Sequence, residues 1–318
     1  MPEDAASNLQ AAITSAAQMR WFAGKDLDVL IFRVNRRPDG SLFEQPNNFF
    51  AHLLEVLSYP VQAETGRRHK RVWHIGNKDY SPEEDVLSGV FGWARSGEAV
   101  EQLWDEATQT WVERVVLDDV TAVAPFTLIG DGRYLGILRH SSFTEGNVAD
   151  ALKQILNKGE SRRNPPTTSW DVEPVGDLQD FLQWMREVDS VVRVDFVFKR
   201  PNPDAESDFE ELFHRLDRLE AEQIRESVSS RDADRGLSKE ALRTDPVTRG
   251  FISAAMAAFG YVVAAGLSQG KRTKYDQRRR VARERLENVD ESWDGATESV
   301  KQATRQARRR RTNGRSET

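Results

Sequence analysis

The chain has 318 residues, with 45 Lys/Arg against 51 Asp/Glu for a net charge of −6 and 38% hydrophobic residues, enough for about two domains with their own cores. It contains no cysteine, which excludes a disulfide scaffold, a Cys-ligated zinc or iron–sulfur site and a cysteine nucleophile, and fits a reducing cytoplasm. The opening MPEDAASNLQ has no positively charged stretch ahead of an apolar one and does not read as a secretory signal.

Residues 6–22 have alanine-rich helical character, with Leu9, Ile13, Ala16 and Trp21 on one face. DVLIFRV, 28–34, is a β-type run closed by the turn signal RRPDG. The stretch holding Phe49, Phe50, Leu53, Leu54 and Val56 suits either helix or strand. RRHKRVWHIG predicts a strand with Val72 and His74 on one face and Trp73 and Ile75 on the other. From 76 to 110 the pattern is weak and reads as connecting structure around a short aromatic element, VFGWA. Three strands come next: WVERVVL (111–117), TAVAPFTLI (121–129) and RYLGILR (133–139). They predict a meander whose last turn is Gly130-Asp131-Gly132.

Val148, Ala151, Leu152, Ile155 and Leu156 recur at helical spacing behind Asn147 as N-cap. The polar, proline-containing ESRRNPPTTS, 160–169, marks an internal boundary. A second helix beginning near Asp177, with Leu178, Phe181, Leu182, Met185 and Val188 on one stripe, feeds into VVRVDFVFK, 191–199. There Val192, Val194, Phe196 and Phe198 oppose Arg193, Asp195 and Lys199, the pattern of a half-covered antiparallel strand. Arg200-Pro201-Asn202-Pro203 stops it. A long amphipathic helix over 206–226 is predicted from Phe209, Leu212, Phe213, Leu216, Leu219 and Ile224. A helical region at 238–258 leads to a hairpin from Tyr261, with the turn Ser268-Gln269-Gly270 and a return through Thr273 and Tyr275. The uncharged run Phe251 to Leu267 is 17 residues long. That is shorter than the roughly 20 a spanning helix needs, so it reads as a buried helix–strand junction. From 277 the chain reads as charged helix, and beyond 292 as polar and disordered.

The expected fold class is α+β, with mixed or mainly antiparallel sheets and packed helices in two loosely separable parts. Those parts are 1–159, with the meander at 111–139, and 170–290, with the element order of a split-βαβ unit. A basic flexible tail, 292–318, completes the chain.

Charge is divided unevenly. Residues 271–318 hold 15 Lys/Arg and 8 Asp/Glu, a net of +7, which leaves −13 for the rest. Three basic patches stand out as nucleic-acid contacts: Arg67, Arg68, Lys70 and Arg71 beside Trp73; Lys271, Arg272, Lys274, Arg278, Arg279 and Arg280 around Tyr275; and Arg308, Arg309, Arg310 and Arg311 in the tail. Arginines and lysines release counterions from phosphates, and an aromatic among them would stack a base. The same cations would equally meet an acidic protein partner or fold back on the acidic body.

Catalytic patterns are sparse. The five histidines form no HExxH or His-x-His pattern, and His69 and His74 fall on opposite faces of a regular strand. Asp118-Asp119 and His140-Ser141-Ser142 read as turn and loop residues; no GxSxG elbow and no Walker A run occurs. Asp195 beside Arg193 and Lys199, with Glu206 or Asp208 beyond the turn, is the one compact candidate for a magnesium nuclease, and ion pairing explains it equally well.

The runs GRYLGILRHSS, VRVDFVFKRPNPD and GYVVAAGLSQGKRTKYDQR resemble an uncharacterised bacterial family whose members lie beside anti-phage defence genes and mobile elements; the likeness covers about 130–280. It implies a cytoplasmic defence component and carries over no catalytic residue. The expectation is therefore a non-enzymatic cytoplasmic subunit that binds nucleic acid through its basic patches, without cofactor, metal or membrane. The alternatives are a self-assembling scaffold or adaptor for an acidic protein, and a metal-dependent nuclease.

Overall fold

The computed structural model describes residues 27–38, 48–66, 70–95, 98–105, 110–117, 120–200, 210–287, 289 and 292–313. Chain order begins β1 (Leu27–Pro38), α1 (Phe49–Ser58), β2 (Ala63–Thr65), β3 (Arg71–Ser81), β4 (Val86–Arg95), β5 (Glu98–Asp105), β6 (Thr110–Leu117), β7 (Val120–Ile129) and β8 (Tyr134–Leu138). It continues through α2 (Glu145–Glu160), β9 (Thr168–Pro174), α3 (Leu178–Glu187), β10 (Ser190–Lys199), α4 (Glu210–Arg218), β11 (Gln223–Ser229), α5 (Lys239–Thr244) and α6 (Pro246–Met256). The last elements are β12 (Gly260–Ser268), β13 (Lys271–Asp276), β14 (Arg283–Leu286) and α7 (Trp293–Asn313). All strand pairs are antiparallel, so the fold is α+β with two main sheets and packed helices.

The first sheet runs β14-β1-β8-β7-β4-β3-β2, with β9 also on β1. β1 is the strand both halves share. Alternation sends its side chains to opposite faces. Arg36 reaches the ring of His52 on α1, whereas Arg33 and Asn35 donate to the carbonyls of Ala257 and Ala258, which follow α6. Helices α1 and α2 thus cover one face, and the second half of the molecule meets the other. All five residues of β8 are buried, because α7 crosses the face that carries Gly136. A Cβ there would lie 2.0 Å from Thr304 Oγ1, so glycine is what lets the helix approach.

Several expectations change. VFGWA is part of β4, a strand paired on both edges with β3 and β7. Its polar alternation is missing because it is central, and Gly92 stands where a Cβ would meet Ala122 O at 2.4 Å. The hairpin β5–β6 is an excursion between β4 and β7, so 111–117 pairs with 98–105 and not with 121–129. The pairing of 121–129 with 133–139 holds. β9 lies where no strand was expected, its charged Asp171 and Glu173 masking a largely buried run. The N-cap of α2 is Thr144 rather than Asn147. The helix expected over 206–226 covers only Glu210–Arg218 among the described residues. Glu220 has φ 49°, and Ile224 belongs to strand β11. The stretch 6–22 and the Arg-Pro-Asn-Pro turn from Pro201 onward lie outside the described residues.

The second sheet is ordered β11-β10-β12-β13 and wholly antiparallel, which replaces the split-βαβ expectation. Its elements sit between β9 and β14, both of which pair with β1. The chain therefore crosses between sheets after β9, not at 160–169. The apolar run 251–267 divides as expected into the end of α6 and β12. Among the described residues no helix is long and apolar enough to cross a membrane.

The tail is the largest correction. Residues 293–313 form a 21-residue helix whose Ala296, Val300, Ala303, Thr304 and Ala307 are buried against the first sheet. Ala296, Val300, Ala303 and Ala307, at i, i+4, i+7 and i+11, make a helical contact stripe of mostly small residues, which arginine-rich surroundings conceal.

Candidate functional site

Alternation along the second sheet separates two faces. Val194, Phe196 and Phe198 of β10, Val262 and Ala264 of β12, and Tyr275 of β13 are buried in one core with Phe181, Trp184 and Phe251 from α3 and α6. Among the described residues no helix packs on the opposite face. Its cross-strand register places Ser227, Asp195, Val263 and Asp276 in one row, and Ser229, Arg193, Ala265 and Lys274 in the next. Arg225, Val197 and Tyr261 form a third row, and Leu267 lies opposite Arg272.

This open face has a consistent layout. The middle strand β12 offers Tyr261, Val263, Ala265 and Leu267, half-buried or exposed. Along the edge strand β13, Arg272 and Lys274 are exposed and about 6.7 Å apart in strand rise. Arg193 and Arg225 add charge from the other side, both exposed. Arg278, just past β13, holds its guanidinium 4.5 Å from the centre of the Tyr261 ring. Nε and Nη2 of Arg278 each donate to Asp276, at 3.0 Å and 3.0 Å. Asp276 is 8% exposed, and burial tends to raise its carboxyl; Arg278 and Lys274 outweigh that and hold it below the ordinary value.

At one end the face is closed by β9. Lys199 donates to Asp171 at 2.8 Å and also to Glu173, and Arg37 and Lys153 approach Asp171 at 3.3 and 3.0 Å. Burial pushes the Asp171 carboxyl up, but Lys199 and Arg37 outweigh it and hold it at about 2. For Glu173 burial dominates and its value is raised. Lys199, with burial against it, is still raised by the two carboxylates. This cluster ties the two sheets together through charge.

A second buried network lies on the other face of β1. His52, fully buried, places Nε2 2.7 Å from Glu160 Oε2. The same carboxylate accepts from Trp170 Nε1 at 2.9 Å and, through Oε1, from the Thr167 amide at 2.9 Å. Burial opposes the charge, yet these donors bring Glu160 down to about 2.

The patches read from the sequence are divided by the structure. Arg272, Lys274 and Arg278 share the open face. Tyr275 is 0% exposed and points into the core, so it cannot stack a base; Lys271 lies at the hairpin turn, Arg279 is exposed, and Arg280 pairs with Asp180 at 2.9 Å. Trp73 is likewise 0% exposed, its indole donating to Thr65 Oγ1 at 2.7 Å. Arg71 lies 4.5 Å over Trp93 and donates to Ser142 O, and Lys70 is exposed 3.5 Å from Glu64. Arg67 and Arg68 lie outside the described residues. On α7, Arg308 pairs with Asp131 and Arg310 with Glu284, while Arg309 is exposed and the Arg311 side chain lies outside the described residues. The aromatic of the open face, Tyr261, was read only as the start of a strand.

At the nuclease candidate, Asp195 is the one carboxylate within the described residues. Both oxygens of Asp195 are taken by Arg193, whose Nε lies 2.9 Å from each; Glu206 and Asp208 lie outside the described residues. Among the described residues no group of three or more His, Asp or Glu is placed to hold a metal ion. His140 and Ser142 close a turn on each other, Ser142 N donating to His140 Nδ1 at 3.1 Å.

None of the curated proteins compared with the chain matches it. The family model described as "Domain of unknown function (DUF4747)" matches residues 95–303, a span that includes the second sheet and the first half of α7. This agrees, at the level of an uncharacterised family, with the resemblance read over 130–280, and on that match the chain belongs to the DUF4747 family.

Proposed function

We propose that this protein is a binding module that takes nucleic acid on the open face of its second sheet. One observation carries the reading: in a chain of net charge −6, the uncovered face gathers Arg193, Arg225, Arg272, Lys274 and Arg278 around a half-buried apolar strip. Asp195 pairs with Arg193, and Asp276 with both Arg278 and Lys274, which leaves Arg225 and Arg272 as the cations of these rows that neither acid pairs with. Cations beside exposed apolar and aromatic surface suit a ligand with phosphates and flat bases. Arg305, Arg308 and Arg310 of α7 are likewise paired, with Glu84, Asp131 and Glu284, and enter this reading in second place. We also propose a cytoplasmic setting in anti-phage defence, a reading supported only by the sequence resemblance; plaque counts on cells with and without the protein test that part.

The binding test measures affinity of the full chain for labelled RNA and DNA across a salt series with Mg²⁺ present. Arg272→Gln and Lys274→Gln should each flatten the logarithmic salt dependence by about 0.7 to 0.9. Binding that is absent at low salt, or indifferent to both substitutions, contradicts the reading. Shortened strands would instead mark a nuclease.

A further inference from the structure

The Arg278 side chain is held more firmly than phosphate contact requires. Asp276 grips two of its nitrogens in a fork, and the Tyr261 ring supports one side of the guanidinium at 4.5 Å. Such bidentate and cation–π contacts fix the plane of a group that otherwise rotates freely. Yet the side chain remains 47% exposed, which leaves room for a second flat group to stack on the guanidinium. Beside it, Val263, Ala265 and Leu267 continue the strip along β12, and the exposed cations of β13 run parallel to them.

We propose that the Tyr261–Arg278–Asp276 stack is a ready-made platform for one unstacked base, and that the ligand of this face is therefore a single-stranded nucleic acid. The inference rests on the reading of the open face as a nucleic-acid surface and names the ligand class within it. Bases inside a duplex have no free ring face, whereas a single strand lays a base on the guanidinium while its backbone follows Arg272 and Lys274. A stack built in advance loses little freedom on binding, which is the advantage of clamping an arginine.

The test uses the full chain with a labelled single strand as RNA and as DNA, the corresponding duplex, and a single strand with abasic sites along its length. Either single strand should bind at least about tenfold tighter than the duplex. Arg278→Lys keeps the charge and loses the plane, so it should weaken the base-bearing strand about tenfold and the abasic strand far less. Asp276→Asn adds a unit of positive charge yet releases the clamp, and should weaken single-strand binding. Tighter binding by Asp276→Asn, equal effects of Arg278→Lys on abasic and base-bearing strands, or a duplex bound as tightly as the single strands would overturn the platform while the charged face stands. No binding of any strand would overturn the face itself.

Discussion

Tyr261 and Arg278 stand 17 positions apart in the chain and 4.5 Å apart in space. Their meeting follows from the register of one hairpin. Ser268 pairs with Lys271 across a two-residue turn, Gln269-Gly270, with φ of 50° and 71°. The ladder this sets ends at Val263 opposite Asp276, and the short 3-10 turn Gln277–Arg279 just beyond it brings Arg278 against Tyr261. The same register puts Tyr275 opposite Ala264, on the buried face.

Tyr275 supplies the first prediction. Its hydroxyl is buried with no hydrogen-bond partner among the described residues, and burial raises its pKa. A buried donor left without a partner costs about 1–3 kcal/mol. Tyr275→Phe should therefore match or exceed the wild type in urea unfolding and bind nucleic acid unchanged. A loss of more than about 1 kcal/mol would show that the hydroxyl has a partner after all.

Docking of α7 depends on Gly136, where a Cβ would meet Thr304 Oγ1 at 2.0 Å and Thr304 Cβ at 3.2 Å. Gly136→Ala should destabilise by about 1–3 kcal/mol, as overpacking does. Thr304→Ala in the same chain should recover part of that loss. Strictly additive unfolding energies in the double mutant would refute the contact.

Lys199 neutralises two buried carboxylates, Asp171 and Glu173. Lys199→Met leaves them without their closest cation and should cost about 3–5 kcal/mol at pH 7. The folded variant then holds these carboxyls above their unfolded values, so it binds protons before the unfolded chain does. Its deficit should accordingly shrink as pH falls from 7 toward 4. A deficit independent of pH would mean the cluster is not electrostatic in origin.

Glu160 behaves in the opposite sense. Its folded value, about 2, lies below the ordinary 4.5. The stabilisation is complete above the unfolded value and is lost as pH drops from about 4.5 to 2; at neutral pH it amounts to about 3 kcal/mol. Glu160→Gln should remove that dependence and lower neutral stability, as read from urea midpoints across this pH range. An unaltered acid limb in the variant would assign the dependence elsewhere.

Much of the fold was legible where alternation or helical spacing was unbroken. Val194, Phe196 and Phe198 against Arg193 and Asp195 already described a sheet with one face uncovered. Central strands were harder: β4 is paired on both edges and carries glycines where neighbours approach, so neither period shows. β9 was missed because its buried carboxylates are neutralised by Lys199, Arg37 and Lys153, which are remote in sequence. Of the candidate site, the cations of β13 were visible as composition. The partition of Tyr275 from Tyr261 required a turn one residue shorter than Ser268-Gln269-Gly270 and attention to which residues alternate. The acids that hold α7 in place, Glu84, Asp131 and Glu284, cannot be matched to their arginines without the fold.

The most direct test of the central claim is where a bound strand touches the protein. A single strand carrying a photoreactive base would be crosslinked to the full chain and the modified peptides identified by mass spectrometry. The open face predicts crosslinks on the segment that includes Tyr261 and Arg278, reduced by Arg278→Lys. Crosslinks confined to the arginines of α7, with β12 and β13 unmodified, would contradict the claim.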